Sequence, residues 1–450
     1  MNRIKELATL MRELDDSLAV CMRCGMCQSV CPLFSETGLE SDVARGKLAL
    51  LDGLMKKLFT HPEEVNKRLN KCLLCGSCTA NCPSGVNVTD IFLKARAILT
   101  GFMGLSPAKK IILRGMLAHP KLFDRAMEWG AGFQKFFTKP VNDMLGTSCT
   151  RFASPLGDRH IKSLAPTPFH KIVPEINTAP GAAGIKVAFF TGCLVDKIFP
   201  QIGKAVLDVL DHYGAGVQIT GDEACCGIPA LSSGDTVTFN KLVCHNLALY
   251  DPDEIDYLVT ACATCTSTIK KFWPLMADTG SPALQKKMER LTEKTLDINQ
   301  FVVSKLGLKH ADTVEPDQTH TVTYHDPCHL KKSLGVSAEP RQLIQANPDY
   351  RFVEMSESDR CCGMGGSFNL FYYGLSSAIG QRKRDDIAAT KASVLTTGCP
   401  ACMLQISDML SKAGDSVMVR HPIEIYAEFL KKYDTDTKTH KTKTGCRPGI

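Results

Sequence analysis

The cysteines of this chain are the residues best placed to carry chemistry. Two dense runs stand near its start, Cys21-Met22-Arg23-Cys24-Gly25-Met26-Cys27-Gln28-Ser29-Val30-Cys31-Pro32 and Cys72-Leu73-Leu74-Cys75-Gly76-Ser77-Cys78-Thr79-Ala80-Asn81-Cys82-Pro83, and ten more cysteines fall into two spaced sets further on. Thiols so arranged can ligate metal ions or clusters, form disulfides or exchange them. The chain has 21 cysteines in 450 residues, an odd total that leaves at least one outside any all-disulfide scheme. A chain of this length also needs no disulfides in place of a core. Metal or cluster ligation in a reducing compartment is the leading reading.

Each dense run has the spacing C-x2-C-x2-C-x3-C-P, that of bacterial two-cluster ferredoxins. Three thiolates two residues apart converge on three irons of one cubane, and the fourth, displaced into the next turn, points toward the neighbouring cluster. This assigns one [4Fe-4S] cluster to Cys21, Cys24, Cys27 and Cys82, and a second to Cys72, Cys75, Cys78 and Cys31. Gly25 and Gly76 allow close backbone approach to the inorganic core, and Pro32 and Pro83 end the loops. A pair of structural zinc sites competes, because four thiolates also suit zinc, but the C-x3-C-P extension has no purpose in it.

The later cysteines form a repeat. Cys193, Cys225-Cys226-Gly227 and Cys262-Ala263-Thr264-Cys265 correspond to Cys328, Cys361-Cys362-Gly363 and Cys399-Pro400-Ala401-Cys402, at offsets of 135, 136 and 137 residues. So steady an offset implies two related lobes, each supplying five cysteines from three loops. Five thiolates exceed what tetrahedral zinc or a simple cubane takes, and adjacent cysteines do not suit consecutive corners of a regular core. An irregular redox cluster, zinc with a spare cysteine, and disulfide exchange at one C-x2-C pair all stay open. Cys149, Cys244 and Cys446 fall outside every set; His245, His325 and His329 lie near repeat elements. His329, beside Cys328, is placed either to donate a hydrogen bond toward a cluster ligand or to pack. No residue stands out as catalytic.

The elements that must position these groups follow from periodicity. Helices are expected over 42–59, 62–69 and 86–99, with Arg45 either offsetting thiolate charge or solvated. Residues 106–137 form a basic amphipathic helical stretch suited to an anionic membrane, a partner, or the cluster domains. Six prolines punctuate 140–184, an interdomain connection with local structure. Strands over 185–190 and 321–324 end just before Cys193 and Cys328, and strands at 257–259 and 393–395 precede the C-x2-C elements; helices at 199–213 and 378–390 lie between strands. The expected fold is a mixed α+β and α/β multidomain one: a helical two-[4Fe-4S] ferredoxin-like domain (1–100), a basic helical segment and proline-rich connection (101–184), duplicated α/β Cys-Cys-Gly (CCG) lobes (185–318 and 319–433), and a flexible tail (434–450). The composition, 44% apolar and 22% charged, excludes a largely disordered chain. A charge of +6 without a zinc-finger pairing or basic-aromatic array gives nucleic-acid binding no support. There is no run of about 20 apolar residues and no evident targeting segment, so a cytoplasmic protein is expected.

On these motifs the chain resembles the cysteine-rich iron–sulfur subunits of flavin-dependent glycolate and D-lactate dehydrogenases. It is also similar to the iron–sulfur subunit of anaerobic glycerol-3-phosphate dehydrogenase and the catalytic subunit of heterodisulfide reductase. The resemblance spans roughly residues 15–100 and 183–430, and Phe368-Asn369-Leu370 after Gly363-Met364-Gly365-Gly366 looks like the dehydrogenase-subunit pattern. It implies one or two further clusters, non-cubane [4Fe-4S] in kind, on Cys193, Cys225, Cys226, Cys262 and Cys265 and on Cys328, Cys361, Cys362, Cys399 and Cys402. The chain has no Gly-x-Gly-x-x-Gly fingerprint and no phosphate-binding loop. The resemblance accordingly implies FAD on a partner subunit that oxidises a 2-hydroxy acid, with this chain relaying electrons toward an electron-transfer flavoprotein, a quinone or another acceptor. It admits peripheral contact with the cytoplasmic face of the inner membrane. Disulfide reduction at a non-cubane cluster and a zinc-loaded scaffold are the alternatives.

Overall fold

Apolar spacing and turn chemistry dictate the first helices. Pro62 pre-sets the first turn, Glu63 and Glu64 face its free N–H groups, and Lys67 and Arg68 meet the carbonyl end, which makes Pro62–Asn70 a helix. The computed structural model describes residues 2–58, 60–151, 158–310 and 320–443. Helices Asn2–Met11, Ala44–Met55, Pro62–Asn70 and Val88–Met103 surround the two cysteine runs. They bury Met11, Leu51, Leu69, Phe92 and Leu99 in one core that continues into the first lobe. The last helix runs beyond residue 100 and stops at Gly104, whose φ is 83°.

Pro107–Lys110 continues through wide π-type turns over Ile111–Leu117, and the helix Pro120–Phe137 follows. The connection beyond it has more structure than its prolines suggest. Strands β1 (Thr138–Asn142), β2 (Thr147–Thr150) and β3 (Ile161–Lys162) form an antiparallel sheet in that order. Pro140 is tolerated because β1 is an edge strand. The sheet rests on the helix Pro400–Ala413 of the second lobe, where the Thr147 and Ser411 hydroxyls lie 2.7 Å apart and the His160 N–H donates to Asp408 at 2.9 Å.

The first lobe contains β4 (Ile176–Asn177), β5 (Lys186–Phe190), β6 (Gly216–Ile219), β7 (Tyr257–Thr260) and β8 (Thr295–Asp297), in the order β4-β6-β5-β7-β8. Strand β4 adds antiparallel to β6, so this sheet begins upstream of residue 185. The second lobe contains β9 (His320–Tyr324), β10 (Tyr350–Phe352), β11 (Val394–Thr396) and β12 (Met418–Arg420), in the order β10-β9-β11-β12. The parallel cores β6-β5-β7-β8 and β10-β9-β11-β12 repeat one topology. In each, the chain leaves the first strand toward one neighbour and returns on its other side, which opens a crevice at the carboxyl ends of the strands. Every cysteine of the two five-residue sets lies in a loop or helix start following such an end.

The lobes are not separate bodies. The helix Pro422–Lys443 packs on Pro200–His212 of the first lobe and Ala338–Gln345 of the second, and the Tyr213 and Tyr426 hydroxyls meet at 2.6 Å. The same helix continues through 434–443, where the sequence suggests a flexible tail; Cys446 and the 318/319 boundary lie outside the described residues. No helix among the described residues is long and apolar enough to cross a membrane.

Buried Arg96 joins the helical unit to the first lobe. Its guanidinium donates to the carbonyls of Leu69 (2.5 Å), Cys72 (2.7 Å) and Ser232 (2.7 Å), and Thr100 Oγ1 donates to the Ser233 carbonyl at 3.1 Å. Gly234 fits beneath because a Cβ there would lie 2.3 Å from the Arg96 carbonyl oxygen. Lys332 makes the matching link to the second lobe, donating to Ser77 Oγ at 2.7 Å and the Asp359 carbonyl at 2.8 Å. Arg96→Met removes all three guanidinium donations and is expected to lower unfolding stability by at least about 3 kcal/mol. Denaturant unfolding checks this, and an unchanged midpoint and slope would contradict the role of Arg96.

Candidate functional site

The N-terminal loops bend around their cysteines in the same way twice. Arg23 and Leu74 have φ of 57° and 56°, and Gly25 and Gly76 have φ of 88° and 71°, so two left-handed residues flank the second cysteine of each run. For a residue with a side chain that conformation costs about 1–2 kcal/mol, and it turns the chain so that thiols converge. The first hollow is lined by Cys21, Cys24, Cys27 and Cys82, with Cys78 and Arg45 at its wall. The second is lined by Cys31, Cys72, Cys75 and Cys78, with Lys47 beside them. Each fourth cysteine thus stands with the triplet of the other run. Backbone N–H groups of Leu74 and Val86 point at Cys72 Sγ and Cys82 Sγ, both at 3.4 Å.

Positive charge stands at both hollows. Arg45 donates to Glu40 at 2.6 Å and to the Arg23 carbonyl at 3.2 Å, close against the first loop. Lys47 is buried beside the second and donates to the Asp42 carbonyl. Burial pushes the Cys31 thiol up to about 11 and raises Cys78, while contact with Cys361, then burial, raises Cys75. Such thiols hold their protons at neutral pH, so ligation must displace them.

The Cys75–Cys361 contact carries the N-terminal unit into the lobes. There all ten lobe cysteines line one largely apolar cavity of about 280 Å³, together with Leu73, Leu74, Phe272 and His329. The glycine of each Cys-Cys-Gly step is required by shape. Gly227 and Gly363 have φ of 96° and 91°, and an added Cβ would lie 2.7 Å from the Phe239 ring and 2.6 Å from the Ser376 carbonyl oxygen. In the second set Cys362 Sγ and Cys402 Sγ are 3.3 Å apart. The sets meet where Cys262 contacts Cys399, Thr264 Oγ1 lies 3.4 Å from Cys399 Sγ, and the Ala263 N–H donates to the Gly398 carbonyl at 2.9 Å.

Buried polar groups hold this arrangement. Glu223 accepts from the N–H groups of Thr191 (3.0 Å) and Gly192 (2.6 Å) and from the Tyr250 hydroxyl (2.7 Å), tying the Cys193 loop to the Cys225 loop; burial pushes its carboxyl up to about 8. Lys383, pushed down to about 8 by burial, donates to the Glu357 carbonyl beneath Cys361 and Cys362. His325 is held neutral, its pKa pushed down to about 3 chiefly by burial. His329 contacts Thr264 at 3.2 Å and faces the cavity, whereas His245 pairs with the Asp222 carbonyl at 2.6 Å. Cys149 lies in β2 and Cys244 on the helix Thr236–Leu249, both partly buried. Lys47, Arg96, Glu223 and Lys383 were not singled out by sequence reasoning. Lys47 left one signal, a lysine in helical register with buried Ala44, Leu51 and Leu54.

Cysteine sulfur supplies four or five donors to each of the four sets. The paired left-handed residues and sulfur-directed amides of the N-terminal loops suit iron–sulfur clusters, and five thiols per lobe exceed the four ligands of a closed zinc site.

Comparison with known proteins agrees. Residues 17–86 match the 4Fe-4S dicluster domain, and residues 187–270 and 322–407 each match the cysteine-rich domain CCG. The chain is 28% identical over 434 residues to the probable glycolate oxidase iron-sulfur subunit of Bacillus subtilis, covering 93% of this chain and 96% of the relative. It is 27% identical over 448 residues to a dihydromethanophenazine:CoB–CoM heterodisulfide reductase subunit of Methanosarcina barkeri, covering 94% and 95%. Lactate utilization protein A of an Exiguobacterium species is 29% identical over 246 residues, 55% of this chain and 98% of that protein. With one dicluster unit and two copies of the cysteine-rich domain, the chain belongs to the CCG-domain family of iron–sulfur proteins.

Proposed function

We propose that the chain is the iron–sulfur electron-transfer subunit of a flavin-dependent 2-hydroxy acid dehydrogenase complex, taking electrons from FAD on a partner and passing them toward a quinone or another acceptor. The observation that supports this most is the unbroken file of thiol-lined sites. Cys78 borders both N-terminal hollows, Cys75 contacts Cys361, and Cys262 contacts Cys399. In this reading Cys21, Cys24, Cys27 and Cys82 hold one [4Fe-4S] cubane and Cys72, Cys75, Cys78 and Cys31 the other. Cys328, Cys361, Cys362, Cys399 and Cys402, and Cys193, Cys225, Cys226, Cys262 and Cys265, hold the non-cubane clusters. The clusters supply one-electron storage; the protein supplies spacing, countercharge and exclusion of water.

The two ends of the file differ. At the first hollow Cys24 is exposed between Met22 (69% exposed) and Met26 (54%), a soft apolar face for the flavoprotein. At the other end Cys193 and Cys225 border a cavity roofed by Phe123 and Asp124 of the helix Pro120–Phe137. The outer side of that helix exposes Trp129 (75%), Phe133, Phe136 and Phe137 beside Arg125 and Lys135. Its acids turn inward, Asp124 to Lys197 and Glu128 to His170 and Lys171. An aromatic and basic face without exposed acids suits an anionic bilayer surface, which would bring the first-lobe site to a membrane acceptor.

A second reading, disulfide reduction, is favoured by the single apolar cavity onto which both five-cysteine sets open. The native complex, purified anaerobically, separates the two. D-lactate or glycolate is expected to reduce the clusters, seen as new EPR signals. Failure of both substrates with an intact flavin would overturn the dehydrogenase reading, and a thiol-dependent paramagnetic state with turnover of a disulfide would favour the second. Zinc without acid-labile sulfide would leave a scaffold instead.

The membrane face has its own reporter, because the other tryptophan, Trp273, is fully buried. Vesicles rich in phosphatidylglycerol are expected to co-float with the protein and shift Trp129 emission to the blue. Loss of flotation in a Trp129→Ala, Phe133→Ala, Phe136→Ala variant is the expected control; unchanged emission and no flotation of the wild-type protein would contradict the membrane assignment.

A further inference from the structure

The two lobes repeat one topology, but their sites are not chemically alike. Three residues before Cys193, at the end of β5, stands Phe190; three residues before Cys328, just past the end of β9, stands His325. His325 is 1% exposed. Its ring is fixed in one orientation, because Nδ1 lies 3.1 Å from the Ser358 carbonyl oxygen. A carbonyl only accepts, so Nδ1 carries the proton and donates it, and a neutral imidazole then presents a bare lone pair at Nε2.

That lone pair has no hydrogen-bond partner among the described residues. His325 stands with Cys362 and Cys402 in a group whose ligand atoms are all within 4.8 Å of one another. A buried acceptor left unsatisfied is costly, and a histidine whose other nitrogen donates to a backbone carbonyl is the usual arrangement of a metal-ligating imidazole. Buried His421 and partly buried His329 flank the site and also have no hydrogen-bond partner at Nε2, but neither belongs to such a group with two cysteine sulfurs among the described residues. His421 receives the Ile423 N–H at Nδ1 (3.2 Å), so its Nε2 carries the proton. His329 Nδ1 faces the Thr264 hydroxyl at 3.2 Å, and the ring also meets the Leu74 backbone.

We propose that His325 Nε2 is a nitrogen ligand to iron at the second-lobe site, joining Cys362 and Cys402, and that the first lobe, with Phe190 in its place, holds an all-sulfur site. The duplicated centres are then distinct, one with mixed nitrogen and sulfur ligation and one with sulfur alone. This rests on the reading that the second lobe holds an iron–sulfur cluster.

The test is pulsed EPR on the full chain in its native complex, labelled with 15N-histidine, following the signal that disappears in Cys361→Ser. The expected result is a directly bonded 15N coupling in the wild-type protein, lost in His325→Phe, which copies the first lobe. It is also expected to be lost in His325→Gln, which keeps a donor toward Ser358, with iron and sulfide contents unchanged in at least one variant. A coupling that persists in both variants, or no coupling in wild-type protein whose second lobe holds iron and sulfide, would overturn the ligand assignment alone. If Cys361→Ser removes neither iron nor sulfide, the cluster reading fails and the assignment fails with it.

Discussion

Eighteen thiols stand in a file of adjoining sites, ten of them around one cavity, and the rest of the structure answers the cost of crowding them there. Neutral thiols pack readily, but thiolates in low dielectric repel one another and lose hydration. Positive charge is therefore distributed along the file. Arg45 stands at the first hollow, Lys47 at the second, Arg96 under the Cys72 loop, Lys332 between Ser77 and Asp359, and Lys383 beneath Cys361 and Cys362. Two of these cations also join units, Arg96 through the carbonyls of Cys72 and Ser232 and Lys332 through the Ser77 hydroxyl, so groups that balance the thiolates help fix the domains that carry them.

The α/β lobes solve a different part of the problem. Loops at the carboxyl ends of parallel strands can present short side chains to one point, and duplication supplies two such points. Packing the lobes with their crevices facing merges them into one cavity. Glycine in the left-handed region at Gly227 and Gly363 lets each adjacent cysteine pair turn toward it without a Cβ clash. The glycine-rich Gly363-Met364-Gly365-Gly366 segment also allows close approach, since a Cβ at Gly365 would lie 3.2 Å from Leu73 of the N-terminal unit.

Much of this was legible in the chain. The C-x2-C-x2-C-x3-C-P spacing is local, and its exchange of fourth cysteines follows from the turn between Cys27 and Cys31. The steady offset of the later cysteines revealed the duplication, and the strands before Cys193, Cys262, Cys328 and Cys399 were visible as short β-branched and aromatic runs. What did not show was tertiary. Nothing in the periodicity of Val88–Met103 distinguishes Arg96 from a cation at a helix end, because its acceptors lie 24, 27 and 136 residues away. The sheet β1-β2-β3 escaped notice because its strands have two to five residues and one contains Pro140. The meeting of Cys75 with Cys361 depends on how three units dock.

That meeting sets the order of the file: first hollow, second hollow, second lobe, first lobe. The most direct measurement is rapid-freeze-quench EPR of a complex whose chain carries Cys361→Ser and Cys362→Ser, with electrons delivered by the flavoprotein. If electrons follow this order, both N-terminal clusters are reduced at the wild-type rate while reduction of the first-lobe site is slowed by orders of magnitude. Reduction of the first-lobe site at the wild-type rate would contradict the order and the relay built on it.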